Sequence, residues 1–237
     1  MTSPGPDSGG PAAAGPAADR SVAARTEAAL VAAGAILSDD HFVYVSGDHG
    51  AGWVDKDAVF PDTAVVDRLC GWLADVLAPM APDVLCGPAV GGLVTAQWTA
   101  RHLGCLSVFA EHRAASAAPA AGPGPVRPPF ELRRGYDRLV AGKRVVVVDD
   151  IVNTGLSTRQ TVAAVQAAGG TVVGAGALAT RGNAGPADLG ADDFAFLLEV
   201  RIPSWPAADC HLCRAGVPVN TRYAHGADFV ATHGWPG

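Results

Sequence analysis

The sequence is short of charge. Only 17% of its 237 residues are Asp, Glu, Lys or Arg, and the acidic ones outnumber the basic, leaving a formal net charge of −6. A protein that holds nucleic acid by overall charge needs the opposite balance, so that class is disfavoured. The N-terminal stretch, MTSPGPDSGGPAAAGPAADR, has neither a basic start nor an apolar core, so no secretory leader is expected. The longest apolar run, residues 162–179, is broken by Gln166, Gly169, Gly170 and Thr171. It reads as helix, turn and strand rather than a bilayer span. These absences lead to the expectation of a soluble, cytoplasmic protein.

Disulfides are not expected either. The five cysteines are an odd number in a chain long enough to fold without bridges. Cys70, Cys86 and Cys105 sit in apolar surroundings and are expected in the core. Cys210 and Cys213 form CHLC, but a structural zinc site needs four ligands. The sequence has no second CxxC, and only His211 and His225 stand nearby. The segment is therefore read as a surface turn.

What the chain does have is apolar substance. Hydrophobic residues make up 49%, enough core for one α/β domain or two small ones. Residues 1–20 are Pro, Ala and Gly with almost no large apolar groups, and a disordered tail is expected there. Residues 21–237 are read as a single domain. A helical pattern over 21–35 places Val22, Leu30 and Val31 on one side. HFVYVSGDHGAGWVDKDAVF then gives two short strand-like runs around a glycine-rich turn. Over 62–80, Val65, Val66, Leu69, Trp72, Leu73, Val76 and Leu77 recur at three and four, which predicts an amphipathic helix with Asp62 as its cap. DVLCGPAVGGLVTAQWTARHLG reads as strand, glycine loop and helix, and LSVFAEH as a further strand. Residues 113–130, rich in Pro, Ala and Gly, are too long for an ordinary turn. A strand follows in KRVVVVDD, buried on both faces because its valines do not alternate with polar residues. A helix over 158–168 ends at Gly169-Gly170, and TVVGAGALAT is the next strand. Strands alternating with helices imply an α/β fold with a parallel sheet covered by helices.

In such sheets ligands gather at the carboxyl ends of the strands. Three loops fall there: GPAVGG (87–92), DDIVNTGLS (149–157) and TRGN (180–183). The middle one is the most informative. Asn153, Thr154, Gly155 and Ser157 before a helix offer amides, hydroxyls and a helix N-terminus, an anion site suited to phosphate. Asp149 and Asp150 would repel a bare phosphate. They make sense beside a ribose diol or a magnesium ion. A phosphorylated sugar satisfies both halves. A Walker-type loop would need Gly-Lys-Ser/Thr, and this loop has no lysine. GPAVGG does not fit G-x-G-x-x-G. A receiver-type acidic pocket occurs early in a shorter chain. The remaining alternative is an exposed strand end with an Asp-rich turn.

VVVVDDIVNTGLST resembles the phosphoribosyl-pyrophosphate (PRPP) signature of type I phosphoribosyltransferases, with Asn153 and Leu156 at positions where the family has Thr and Gly. HFVYVSGDHGAGWVDKDAVFPD, DVLCGPAVGGLVTAQWTARHLG, SVFAEH, LRRGYDRLVAGKRVVVVDD, ATRGN and CHLCRAGVP resemble, in that order, segments of bacterial orotate phosphoribosyltransferases across residues 35–220. The resemblance implies a central, mostly parallel sheet flanked by helices, a small N-terminal hood and a flexible catalytic loop over about 112–134. It implies transfer of phosphoribosyl from PRPP to orotate, with Mg²⁺ carried by PRPP near Asp149 and Asp150 rather than held directly by the protein. Asp149 and Asp150 would bind the ribose hydroxyls, and Asn153, Thr154, Gly155, Leu156 and Ser157 the 5-phosphate. Ala89, Val90 and Gly91 would meet pyrophosphate through their backbone. Arg181 would pair with the pyrimidine, alongside Thr154, while Trp53 could stack on the base or simply be core. Arg133 and Arg134 match the end of the catalytic loop.

Two departures stand out. Val45 occupies a position where the family often has lysine, and residues 111–135 contain Glu111, His112, Arg113, Arg127, Arg133 and Arg134 but no lysine. They leave open a different acceptor base. A PRPP-sensing nucleic-acid binder on the same fold would need a concentrated basic face, which the acidic balance disfavours. The resemblance further implies a homodimer sharing the loop across subunits.

Overall fold

The computed structural model describes residues 20–44, 46–113 and 128–233. The tail over 1–19, Val45, the middle of the expected catalytic loop (114–127, with Arg127) and residues 234–237 lie outside the described residues. Helix α1 (Arg20–Ala32) leads into four two-residue strands: β1 (Ile36–Leu37), β2 (Phe42–Val43), β3 (His49–Gly50) and β4 (Trp53–Val54). There follow α2 (Thr63–Leu77), β5 (Val84–Pro88), α3 (Gly91–Leu103), β6 (Leu106–His112), β7 (Phe130–Glu131), α4 (Tyr136–Val140) and β8 (Arg144–Val152). The chain continues through α5 (Leu156–Ala167), β9 (Thr171–Thr180), α6 (Pro186–Leu189), β10 (Phe194–Glu199), β11 (Ser204–Trp205), α7 (His211–Arg214) and α8 (Gly226–His233).

The main sheet has the order β10-β9-β8-β5-β6-β7, parallel except for the edge strand β7. The unbroken valine run lies in its middle. Val146 and Val148 pack into the core under α2 and α3, and Val145 and Val147 into the core under α5. Alternate residues of a strand point to opposite faces. With helices on both faces, every valine is buried, which is why the run shows no polar alternation. Helix α2 starts where Asp62 accepts hydrogen bonds from the Ala64 and Val65 amides, at 2.9 and 3.2 Å, the cap expected from the sequence. Two smaller sheets, β1-β4 and β11-β3-β2, form a hood from the N-terminal strands and one C-terminal strand.

Three expectations need correction. Strand β8 does not stop at the carboxylates but runs on to Val152, so Asp149 and Asp150 are part of the strand and buried. Helix α5 begins at Leu156, two residues before the expected start at Thr158, because Gly155 turns the chain in the left-handed region. The CHLC segment is not a surface turn, since Cys210 is fully buried at the start of α7. Strand β10, which the pattern reading passed over, completes the sheet beyond β9. No helix among the described residues is long and apolar enough to cross a membrane.

Helix α2 and strand β9 pack as side chain into glycine: a Cβ on Gly176 would lie 2.9 Å from both Leu77 methyls. Leu77→Ala should cost about 2–5 kcal/mol in denaturant unfolding. Gly176→Ala alone should also destabilise, while the double variant should lose less than the sum, because the new methyl enters the vacated space. Strictly additive losses would refute this packing.

Candidate functional site

Three loops at the carboxyl ends of β5, β8 and β9 form the site. The chain turns from β5 into α3 through Ala89 and Val90, with a cis peptide between them. The Ala89 amide donates to the Ala110 carbonyl at 2.8 Å, tying the turn to β6. Val90 is exposed. Gly91 begins α3 directly against Asp150, where any Cβ would overlap the carboxylate oxygen Oδ2. Helices α3 and α5 both begin at these loops, and the first amides of a helix have no acceptor within it.

Strand β8 supplies the carboxylates. The Asp150 amide donates to Asp149 Oδ1 at 2.9 Å, and the Ile151 amide to Asp150 Oδ1 at 2.7 Å. Burial raises the Asp149 carboxyl well above the ordinary carboxylate range, and the adjacent Asp150 charge and hydrogen bond push the same way. Lys56 offsets part of this. Its Nζ lies 3.2 Å from Asp150 Oδ2. Burial pulls the Lys56 ammonium down, but Asp150, then Asp149 and Asp57, outweigh it and leave its pKa raised. Lys56 is one of only two lysines in the chain. It rides on a single 3-10 turn capped by Asp55, just after β4. Sequence reasoning missed it: family lysines were sought at position 45 and in the loop, and nothing in WVDKDAVF marks a partner for residues almost a hundred positions away.

After β8 the chain forms the loop over residues 153–155 that leads into α5. Asn153, Thr154, Leu156 and Ser157 are exposed, while Gly155 is buried. A Cβ at Gly155 would strike Leu189 Cδ2, so this turn admits only glycine on two counts, conformation and space. The Asn153 carbonyl packs against Gly182, which joins this loop to the one after β9. The Arg181 amide donates to the Val152 carbonyl at 2.8 Å, fixing that second junction.

The Arg181 guanidinium lies over Tyr44 at 4.6 Å and Trp53 at 5.8 Å from the ring centres. The two rings stack with centroids 6.3 Å apart, and Tyr44 donates its hydroxyl hydrogen to the Gly52 carbonyl at 2.6 Å. Burial raises the Tyr44 pKa, partly opposed by the Arg181 charge. Trp53 is only half-buried and faces a cleft of about 860 Å³ that also contacts Tyr44, Asn153, Arg181, Glu199 and His225. The structure therefore brings Trp53, Asn153 and Arg181 to one cleft. Tyr44 joins them, a residue the sequence reading quoted in HFVYVSG without assigning it a role.

Arg133 and Arg134 lie elsewhere. Arg134 pairs with Glu111 at 3.2 Å, and Arg133 with Glu131 at 3.4 Å and Glu111 at 3.8 Å. Both are held at the β6–β7 hairpin and neither lines the cleft. The histidines expected beside CHLC also go elsewhere: His211 packs edge-on against Trp205, and His225 pairs with Asp228 at 3.5 Å.

Comparison with known proteins fits this geometry. Residues 61–208 match the phosphoribosyl transferase domain family. The orotate phosphoribosyltransferase of Methylobacterium sp. (strain 4-46) is 41% identical over 189 residues, covering 79% of this chain and 88% of its own. That of Pelotomaculum thermopropionicum is 36% identical over 185 residues, covering 78% and 88%. Among solved structures, the orotate phosphoribosyltransferase of Aeropyrum pernix superposes with a TM-score of 0.56 at 21% identity, covering 90% of this chain and 99% of that one. The Mycobacterium tuberculosis enzyme in complex with PRPP gives 0.53 at 23% identity, covering 74% and 95%. The matched span runs from the turn before α2 to the residues after β11, and takes in all three loops of the site. The chain belongs to the phosphoribosyl transferase family.

Proposed function

We propose that the protein is an orotate phosphoribosyltransferase, which transfers phosphoribosyl from PRPP to orotate to give orotidine 5′-phosphate and pyrophosphate in de novo pyrimidine synthesis. The observation that carries this reading is the single cleft shared by Arg181, stacked on Tyr44 and Trp53, and Asn153 of the phosphate loop. A guanidinium fork held over aromatic faces suits a flat, anionic pyrimidine, and a phosphate loop beside it suits the sugar phosphate that must react with that base. Curated relatives carry the same activity in their names, and a relative of the same fold binds PRPP.

On this reading, Asn153, Thr154, Gly155, Leu156 and Ser157 hold the 5-phosphate with amides and hydroxyls. Thr154 would also contact the base. Asp149 and Asp150 hold the ribose hydroxyls, and the backbone of Ala89, Val90 and Gly91 faces the pyrophosphate. Positive charge builds on the ribose as pyrophosphate departs, and buried carboxylates close to the ring favour that charge. Lys56, paired with Asp150, keeps that carboxylate aimed. The donor set also fits magnesium, since Asp149 and Asp150 offer hard carboxylate oxygens. Carried in with PRPP near these residues, Mg²⁺ would neutralise pyrophosphate charge. Closing the 112–134 segment would exclude water, which otherwise hydrolyses PRPP. Arg133 and Arg134 are then the cations of a loop without lysine, in a cytoplasmic homodimer whose subunits share that loop. The fold over 21–237 acts as one domain.

The decisive assay follows orotate absorbance with PRPP and Mg²⁺. Loss of signal that requires protein and both reagents is expected; no loss with orotate, together with PRPP binding by calorimetry, would move the acceptor to another base. Arg181→Ala should raise the KM for orotate about 10- to 100-fold, the worth of a charge-assisted contact, and leave the KM for PRPP nearly unchanged. Equal effects on both substrates would remove Arg181 from base recognition. Asp150→Asn should lower kcat/KM about a hundredfold or more.

Asp149→Asn separates stability from activity. A carboxyl whose folded pKa is raised lends stability that is full below the unfolded value and is lost as pH rises through the folded one. At neutral pH the ligand-free protein therefore bears the cost of burying that group. Asp149→Asn should raise the melting temperature at pH 7 relative to the parent while lowering activity, and the gain should vanish at about pH 4, near the ordinary carboxylate pKa. A lower melting temperature at pH 7 would contradict the assignment.

A further inference from the structure

Outside the cleft, a dense group of chemically versatile side chains lies beneath the hood. His41, His49, Cys210 and Cys213 bring one ligand atom each to within 4.8 Å of one another. His41 precedes β2, His49 lies in β3, Cys210 caps α7 and Cys213 lies in its single turn. His41, His49 and Cys210 are fully buried, and Cys213 partly so. We infer that these four residues form a structural zinc site that fastens the C-terminal segment to the hood.

The distances fit. Cys210 Sγ lies 3.6 Å from His41 Nε2, and Cys213 Sγ lies 3.7 Å from His41 Nε2 and 3.3 Å from His49 Nδ1. Zinc bonds of about 2.3 Å to sulfur and about 2.0 Å to nitrogen give a tetrahedron whose sulfur–nitrogen edges are about 3.5 Å. The two nitrogens, 2.8 Å apart, need to open by only about half an ångström to reach the corresponding edge. One ring is also already oriented. His41 Nδ1 sits 2.8 Å from the Val217 carbonyl, an acceptor only, so that nitrogen carries the proton and Nε2 turns its lone pair toward the thiols. A ligating histidine is characteristically fixed by such a bond on its other nitrogen.

Chemistry selects the metal. Two sulfurs and two imidazoles in a closed tetrahedral set match zinc, and four protein ligands leave no open position for catalysis. Two thiolates against Zn²⁺ sum to zero, so the buried site carries no net charge. A dithiol switch between Cys210 and Cys213 would leave the two imidazoles unexplained. There is also a structural need. The hood strands are two residues each, too short to hold by pairing alone. The Asn220 amide donates to the His41 carbonyl at 2.7 Å and the His225 amide to the Val43 carbonyl at 2.9 Å, so the C-terminal segment already lies along β2. A metal would clamp this contact, and with it Tyr44 next to β2.

The test is metal analysis of the full chain, purified without chelator or a histidine tag, by plasma mass spectrometry. About one zinc per chain is expected, with metal loss by strong chelation lowering the melting temperature. Cobalt(II) loaded in its place should give thiolate-to-metal charge-transfer bands and the intense visible absorption of tetrahedral geometry. Cys213→Ser and His41→Asn should each cut zinc retention at least about tenfold; Cys213 is partly exposed, so its variant guards against misfolding of the other. Background metal after zinc incubation, with a melting temperature indifferent to zinc and chelator, would overturn the site. So would an octahedral cobalt spectrum, or a metal-free protein whose Cys210 and Cys213 are joined as a disulfide. None of these readouts depends on orotate turnover.

Discussion

Two adjacent carboxylates buried within a central strand are the constraint around which the rest is arranged. Like charges so close in an apolar setting are costly, and a protein retains them only with compensation nearby. Here compensation comes from three directions. Backbone amides of the strand donate to both carboxylates, Lys56 reaches Asp150 from the hood, and α3 opens toward them through a glycine. The apolar body of β8 supplies rigidity, with β5 and β9 on either side and helices above and below. A site that must hold charge in fixed positions gains from such a scaffold, because little reorganisation remains when ligand arrives.

The sheet was legible in the sequence because its determinants are local. Valines without alternation mean a strand covered twice, and β6 and β9 begin and end where the pattern placed them. Asp62 and the three-and-four spacing of Val66, Leu69 and Leu73 wrote α2 as plainly. The loop between β8 and α5 was legible for the same reason, since Thr, Gly and Ser between a strand and a helix are a local statement. What remained hidden is long-range. The partnership of Lys56 with Asp150 spans the fold, and a lysine in a polar turn carries no mark of its partner. Histidines 41 and 49 lie far along the chain from Cys210 and Cys213, so a search for ligands near CHLC looked in the wrong place. The end of β8 was misjudged because aspartate ordinarily signals a turn, and only the neighbouring amides and ammonium make it tolerable inside a strand.

The hood is the other half of the architecture. It offers Tyr44, just after β2, and Trp53, in β4, to the cleft and Lys56 to Asp150, and its stability is borrowed from contacts with α1, the main sheet and the C-terminal segment. On the proposed function, base recognition and sugar recognition are thus divided between two supports of different stiffness. The loop after β8 and the carboxylates belong to the rigid sheet, the aromatic pair to the lighter hood, and Arg181 at the end of β9 spans both.

The contact between Gly91 and Asp150 has a consequence for how this sequence can vary. No side chain larger than hydrogen fits at residue 91 while a carboxylate occupies residue 150. Room at 91 appears only if 150 shrinks, and a smaller residue at 150 takes from Lys56 the carboxylate it pairs with. Each single step away from the pair passes through a defective protein, so the three positions form a lock that drift cannot open one pin at a time.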